Sequence, residues 1–460
     1  MFTSTVIFKE ELLPSDGGPG HFQNLAATQE EEDAFDFVKY RNCQKPSGVI
    51  GSTANMIKGA LGGGILGGHV AYMKAGVWVA APFHIIFGVY IGYCLLLLLS
   101  CAQIMNRRTR VPVLSYPDVG EAAMQCFPNK KVAKYSKIFR YSIDFVICLD
   151  LFGSCSVYQI MIAKTIKQLA ENQHHTGLDG IGPGYPNLRV YMTAIIIPVI
   201  LICLILHLKW LAPFSIVADV IIVICIFFAI YYAFALNPNF ENMVPATTLY
   251  SYFEYVGMSV FSMSSAGVVI AIENNMKEPK RFPIVIISGM VVIVMCSFCM
   301  SFFGYVAFLD KCESPITLNF PLITWNKILK CGIAIMIYIT HAVNFWVPFN
   351  TVFYYLTLYH KTNLLRWEYF YRVLFVVIIA IIAIIFPNID ALMGLLGALC
   401  LSCMAFIWPN FIYLLIIWER PGLGKYNWRF WRSMIMMCIG IFILVVGSTI
   451  SGIELVSIYF

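Results

Sequence analysis

Apolar residues fall in long blocks along this chain, separated by short polar stretches, and the blocks set the expected fold. Eleven of them run near 50–74, 77–105, 141–168, 190–207, 212–236, 250–272, 284–309, 328–357, 372–387, 391–418 and 433–457. A helix crosses a hydrocarbon core about 30 Å thick with roughly 20 residues, which most of these blocks supply. The block at 328–357 is longer than a span needs, so its first residues, with Lys330, are expected beyond the hydrocarbon. The block at 372–387 is short and rich in β-branched residues. It still reads as helix, because a bilayer offers no partner to an open strand edge. The pattern predicts an all-α polytopic membrane protein with about 11 transmembrane helices, its membrane domain covering 46–457.

Composition agrees. Hydrophobic residues make up 59% of the 460, and only 12% are charged, about half the usual share of a soluble protein. A cytosolic enzyme, a secreted disulfide scaffold and a disordered chain are poor fits. Residues 1–45 carry the acidic run Glu30-Glu31-Glu32-Asp33 and the turn formers Gly17, Gly18, Pro19 and Gly20. They read as a disordered cytoplasmic tail without a signal peptide, so the first span is expected to act as its own insertion signal.

The charge balance sets the orientation. Residues 1–50 are net −4 and the remainder net +10. Basic residues gather in alternate connections: Arg107, Arg108, Arg110, Lys130 and Lys131 between spans two and three, Lys277, Lys280 and Arg281 between six and seven, and Arg420, Lys425, Arg429 and Arg432 between ten and eleven. The positive-inside rule then predicts a cytoplasmic amino terminus and a carboxyl terminus outside or in a lumen. No basic stripe interleaved with exposed aromatics suggests nucleic acid, so the expected surroundings are a lipid bilayer. The pairs Cys296/Cys299 and Cys400/Cys403 sit in apolar runs with no His or Cys cluster beside them. They read as packing residues, and no metal or cofactor is expected.

The most informative local feature is the glycine run of span one, Lys58-Gly-Ala-Leu-Gly-Gly-Gly-Ile-Leu-Gly-Gly-His69. Each glycine costs a helix interior up to about 1 kcal/mol relative to Ala. In hydrocarbon, freed backbone groups are tolerated only beside a protein-lined cavity. The run therefore reads either as close helix packing or as an unwound segment whose N–H groups bind something polar. Span six holds a second interruption, Ser259-Val-Phe-Ser-Met-Ser-Ser-Ala-Gly267. Spans one and six occupy corresponding places in a five-plus-five inverted repeat, with repeat one near 50–236, repeat two near 250–418 and an extra helix at 433–457. This coincidence favours a midplane site between spans one and six, where the glycine run meets the small polar residues that end at Gly267.

Acidic residues inside apolar blocks are costly and are expected to face protein or water. Asp150 in span three is the deepest. Asp219 in span five divides evenly between structural pairing and a coupling role, while wetting at a boundary explains Asp144 and Glu254 as well as any function. His69 and His341 read as neutral, hydrogen-bonded imidazoles.

Four segments together resemble the amino acid/auxin permease superfamily, most closely the proton-coupled amino acid transporters of animals. They are the run from Lys58, Phe152-Gly-Ser-Cys-Ser-Val-Tyr158, the stretch Gly267-Val-Val-Ile-Ala-Ile-Glu-Asn-Asn-Met-Lys-Glu-Pro-Lys-Arg-Phe282, and Asn344-Phe-Trp-Val-Pro348. The resemblance implies a LeuT-like carrier of small neutral amino acids, with the proton as a candidate co-substrate, in a plasma or lysosomal (vacuolar) membrane. It places the substrate carboxylate at Gly62 and Gly64 and the opposing break at Ser264 to Gly267, with Tyr158 and Asn344 lining the pocket. This chain also departs from that pattern. Tyr93 stands where the family has a histidine tied to proton coupling, Ser264 where it has an acidic residue, and Cys312 has no partner cysteine in 171–189. Asp150, Asp219 and Tyr93 remain as coupling candidates, and loss of proton coupling is the expectation. A sensor of the same fold with little flux and an uncoupled uniporter are the competing readings. With no metal set, acyl-transfer triad or phosphate loop in the sequence, an enzyme is not expected.

Overall fold

A computed structural model describes residues 28–41, 46–174, 186–205, 212–263, 265–360, 363–418 and 420–457, with side chains from 217 onward in the segment that starts at 212. Among these residues the chain is helical almost throughout, and the bridge between Ser47 and Met276 is the β-pairing present. Eight helices are long and apolar enough to cross a membrane, and Leu188–Cys203 is a shorter apolar helix. Spans one and six are each divided into shorter helices.

The expected boundaries hold in outline and shift where polar residues extend a helix past the hydrocarbon. Span three starts at Ser136 and runs to Glu171, span eight covers Thr324–Thr357, and span nine begins at Leu364. Thirty-four residues of span eight rise about 51 Å at 1.5 Å each, so part of that helix stands in the interface. Side-chain caps fix two starts: Asn187 accepts from the Arg189 N–H ahead of span four, and Asn388 accepts from Asp390 and Ala391 ahead of span ten. Gly76, at φ +83°, turns the chain between spans one and two where Ala246 lies too close for any side chain.

The tail needs a correction over its described part. Residues 1–27 and 42–45 lie outside the described residues, but Gln29–Ala34 and Phe37–Tyr40 are short helices docked on the bundle. The acidic run that suggested disorder is what holds them. Glu32 pairs with Arg108 at 2.9 Å and with Arg420 at 3.4 Å, and Glu31 pairs with Arg110 at 3.1 Å. Phe37 is buried beneath the guanidinium groups of Arg41 and Arg107.

Span six and span ten meet backbone to backbone. A Cβ on Gly257 would lie 2.3 Å from the Gly394 carbonyl oxygen, and one on Gly397 would lie 1.9 Å from that of Gly257. Span ten changes to a π-helix over Gly397–Ile407 directly at this contact, a local widening often found at functional sites. Replacing Gly257 with leucine is expected to force the two helices apart and cost a well-packed core at least about 1 to 3 kcal/mol. An unchanged melting temperature for purified Gly257→Leu protein would show that the contact is looser than drawn.

Candidate functional site

Span one consists of Val49–Ala60, a 3-10 stretch Gly63–Gly67 and Gly68–Ala75. Between the first two pieces the backbone leaves helical geometry, at ψ 76° for Leu61 and φ −110°, ψ −160° for Gly62. No side chain caps either the 3-10 stretch or the helix after it. Those N-terminal N–H groups carry the positive end of a half-helix, and they sit among fully buried residues. Span six is broken in the corresponding place. Its first piece is Leu249–Met263 and its second is Val269–Asn274, with turns over 266–268. Ser264 lies outside the described residues. Ser265 is buried and its Oγ has no hydrogen-bond partner, which in a protein interior marks a place for a polar guest or a water.

The two breaks face one another through rings. Phe261 of span six lies over Gly64, where a Cβ would come within 2.9 Å of Cδ1 and 3.3 Å of the Phe261 carbonyl oxygen. Tyr158 of span three covers the next two glycines: a Cβ on Gly62 would stand 3.0 Å from its hydroxyl, and one on Gly63 only 2.4 Å from its ring. The Tyr158 hydroxyl accepts from Asn344 Nδ2 at 3.2 Å. Glycine here is a requirement of close approach. The structure thus brings Gly62, Gly63, Gly64, Tyr158 and Asn344 together. Gly267 stands apart from them, in a small cavity with Ser115, Tyr116, Ile147 and Asn274.

The three coupling candidates separate. Asp150 is buried in span three, with Oδ1 unpartnered and Cys400 of the π-helical stretch within electrostatic reach. Asp219 attracts Lys58, the residue two positions before Ala60 at the end of the first helix of span one. Tyr93 faces span eleven, where the Arg432 guanidinium sits 5.5 Å from its ring centroid. Both expected imidazoles are hydrogen-bonded. His69 Nε2 meets the Glu313 carbonyl oxygen at 3.0 Å and Asn319 Oδ1 at 3.2 Å, and His341 Nε2 meets Gln159 at 3.1 Å.

Ion pairs at both ends of the broken helices were not legible in the sequence. Lys74, at the end of span one, lies 2.8 Å from Glu254 of span six and also bonds Glu454 of span eleven. At the opposite end Arg41 pairs with the fully buried Glu273 at 2.9 Å, while Gln103 donates to the other carboxylate oxygen at 3.2 Å. The backbone joins the same ends: Ser47 N–H donates to Asn275 O at 2.8 Å and Lys277 N–H to Ser47 O at 2.9 Å. Asn274 donates to Leu114 O at 2.9 Å. Residues 273–277 therefore owe their character to the fastening of span six onto span one and the tail. A count of boundary charges could have flagged Glu254 and Lys74, but nothing local in the sequence pairs them.

Comparison with known proteins gives the family. Residues 45–453 match the family described as transmembrane amino acid transporter protein. The chain is 30% identical to the Drosophila melanogaster "Proton-coupled amino acid transporter-like protein pathetic", over 98% of this chain and 95% of that one. It is 20% identical to the Caenorhabditis elegans "Probable amino acid transporter skat-1", over 82% and 83% of the respective chains. With eleven apolar segments, two of them broken deep in the bundle, and a match across nearly its whole length, this integral membrane protein belongs to the transmembrane amino acid transporter family.

Proposed function

We propose that the protein is a secondary carrier for small neutral amino acids that works by alternating access, with its amino terminus in the cytoplasm. The observation that carries this reading is the meeting of two interrupted helices over uncapped N–H groups, lined by Tyr158, Asn344 and Phe261. The Gly62 N–H already donates to the Ala60 carbonyl oxygen at 2.9 Å, so a substrate carboxylate fits the N–H groups of Gly63 and Gly64 at the start of the 3-10 stretch, as at other broken transporter helices. The amine fits the span-six break, where the buried Ser265 Oγ has no partner and can accept from it. The rings of Tyr158 and Phe261 stand directly over the glycines, a closeness that argues for substrates with short side chains such as glycine, alanine or proline. The groups nearest the glycines are uncharged, which argues for a neutral substrate.

Spans one and six then rock against spans three and eight. In this conformation ion pairs fasten both ends of the moving pair, Lys74 with its two glutamates at one end and Arg41–Glu273 at the other. Each half of the cycle must open one of them. The reading includes loss of proton coupling, because Tyr93 replaces the histidine of the resembling family and turns away toward span eleven. Plasma and lysosomal membranes both suit the reading.

The deciding experiment is competitive uptake into proteoliposomes across a panel of amino acids, with pH and sodium gradients imposed separately. Saturable uptake of small neutral substrates is expected, with no substrate-dependent current driven by a pH gradient alone. Absence of uptake for every amino acid, with binding intact, would favour a sensor. Removing the Tyr158 hydroxyl tests the pocket. Tyr158→Phe takes the acceptor from Asn344, so KM is expected to rise about tenfold, in line with one lost buried hydrogen bond of about 1.4 kcal/mol. An unchanged KM would remove Tyr158 from the site.

A further inference from the structure

The geometry points to a binding site for an anionic phospholipid headgroup at the start of span eleven, built from Arg432, Tyr93, Arg429 and Lys425. Five arginines, Arg41, Arg108, Arg140, Arg372 and Arg420, each reach a carboxylate within 4.0 Å. Arg432 does not. Its guanidinium is held by rings, 5.0 Å from the Trp428 centroid, 5.1 Å from Tyr413 and 5.5 Å from Tyr93. Its Nε and Nη2 and the neighbouring Tyr93 hydroxyl are buried without a hydrogen-bond partner. Two guanidinium N–H groups and the hydroxyl of an adjoining tyrosine are thus left without a partner, which is costly unless an oxygen-rich anion supplies one. Cation–π contacts hold the guanidinium in position but leave its hydrogen-bonding capacity unused.

The surroundings select the source of that anion. Trp428–Phe442 begins with Asn427 in the left-handed region and no side-chain cap, so the positive end of the helix faces the same region. Arg429 also stacks against Trp428, at 5.8 Å, and Lys425 lies 5.5 Å from the Tyr426 ring. Tyr426, Trp428 and Trp431 are exposed, as are Ile435 and Ile439 further along the helix. Aromatic residues in that position mark the headgroup level, and the aliphatic face beyond them belongs to acyl chains. A lipid phosphate at that depth meets Arg432 beside the half-exposed Trp428, with its tails along span eleven. A soluble anion has no use for the apolar face. The site is independent of which amino acid is carried.

Native mass spectrometry of the purified full-length protein with phosphatidylserine or phosphatidylcholine added tests the proposal. Phosphatidylserine should bind preferentially. Each charge removed is expected to weaken that preference about fivefold, and the Lys425→Gln/Arg429→Gln/Arg432→Gln variant about 100-fold. Lys277→Gln, on a different connection, should leave it unchanged. If the triple variant does not fold, Arg432→Lys, which keeps the charge but loses the planar fork, and Tyr93→Phe should each give a smaller loss. Equal binding of the two lipids, undiminished preference in these variants, or removal of the bound lipid by millimolar inorganic phosphate would each overturn the headgroup site.

Discussion

Uptake by a Gly64→Leu variant is expected to fall to background, a loss of more than about 100-fold, while the protein still inserts and elutes as a single folded species. The reason is local. A Cβ at this position already comes within 2.9 Å of the Phe261 ring and 3.3 Å of the Phe261 carbonyl oxygen, and the remaining three carbons of leucine would extend into the gap between the two breaks. A misplacement of about 1 Å near a binding centre can cost 10²-fold, and here the space itself is filled. Gly64→Ala should be intermediate, because the Phe261 ring can yield by a few tenths of an ångström whereas its carbonyl oxygen cannot. Folding survives because the break has few helical hydrogen bonds to lose and Phe261 is only half-buried. Normal uptake by the leucine variant, in protein shown to be in the membrane, would move the substrate away from span one.

The architecture was legible because two physical constraints are written into single residues. The need to bury every backbone polar group in lipid makes eleven apolar blocks read as helices, and six glycines between Gly59 and Gly68 can be read as a break before any coordinates exist. Tyr158 and Asn344 came instead from the resemblance of their segments to a known family. Phe261 was not legible as the lid over Gly64, since a phenylalanine in an apolar span carries no distinguishing mark. The tail was misread because Glu30 to Asp33 looks solvated in isolation. Its partners Arg107, Arg108, Arg110 and Arg420 lie far along the chain, and only the fold brings them together. Tyr93 was selected by alignment with a histidine, and its neighbours on span eleven could not be foreseen from span two. Local chemistry survives translation into sequence, whereas charge pairing between distant segments does not.

That limit makes the Lys74 cluster the more demanding test. Lys74→Met is expected to lower the stability of the purified protein by about 3 to 5 kcal/mol, because it leaves Glu254 and Glu454 facing each other without a cation. With side chains only 9% and 21% exposed, neither carboxylate can rely on water to screen the repulsion. In a chain of this size the apparent melting temperature should drop by roughly 3 to 5 °C. Removing the charges together should be far milder. Lys74→Met/Glu254→Gln/Glu454→Gln is expected to recover most of the loss, since neutral groups of similar volume often replace a buried ion cluster at little cost. The two variants then differ in transport as well. Spans one, six and eleven are fastened together only while the lysine is shared, so the triple variant, stable but unlatched, should shift its conformational balance and its substrate affinity. If Lys74→Met and the triple variant were equally unstable, packing of the lysine stem, and not its charge, would hold this end of the broken helices, and span eleven would have no electrostatic hold on the cycle.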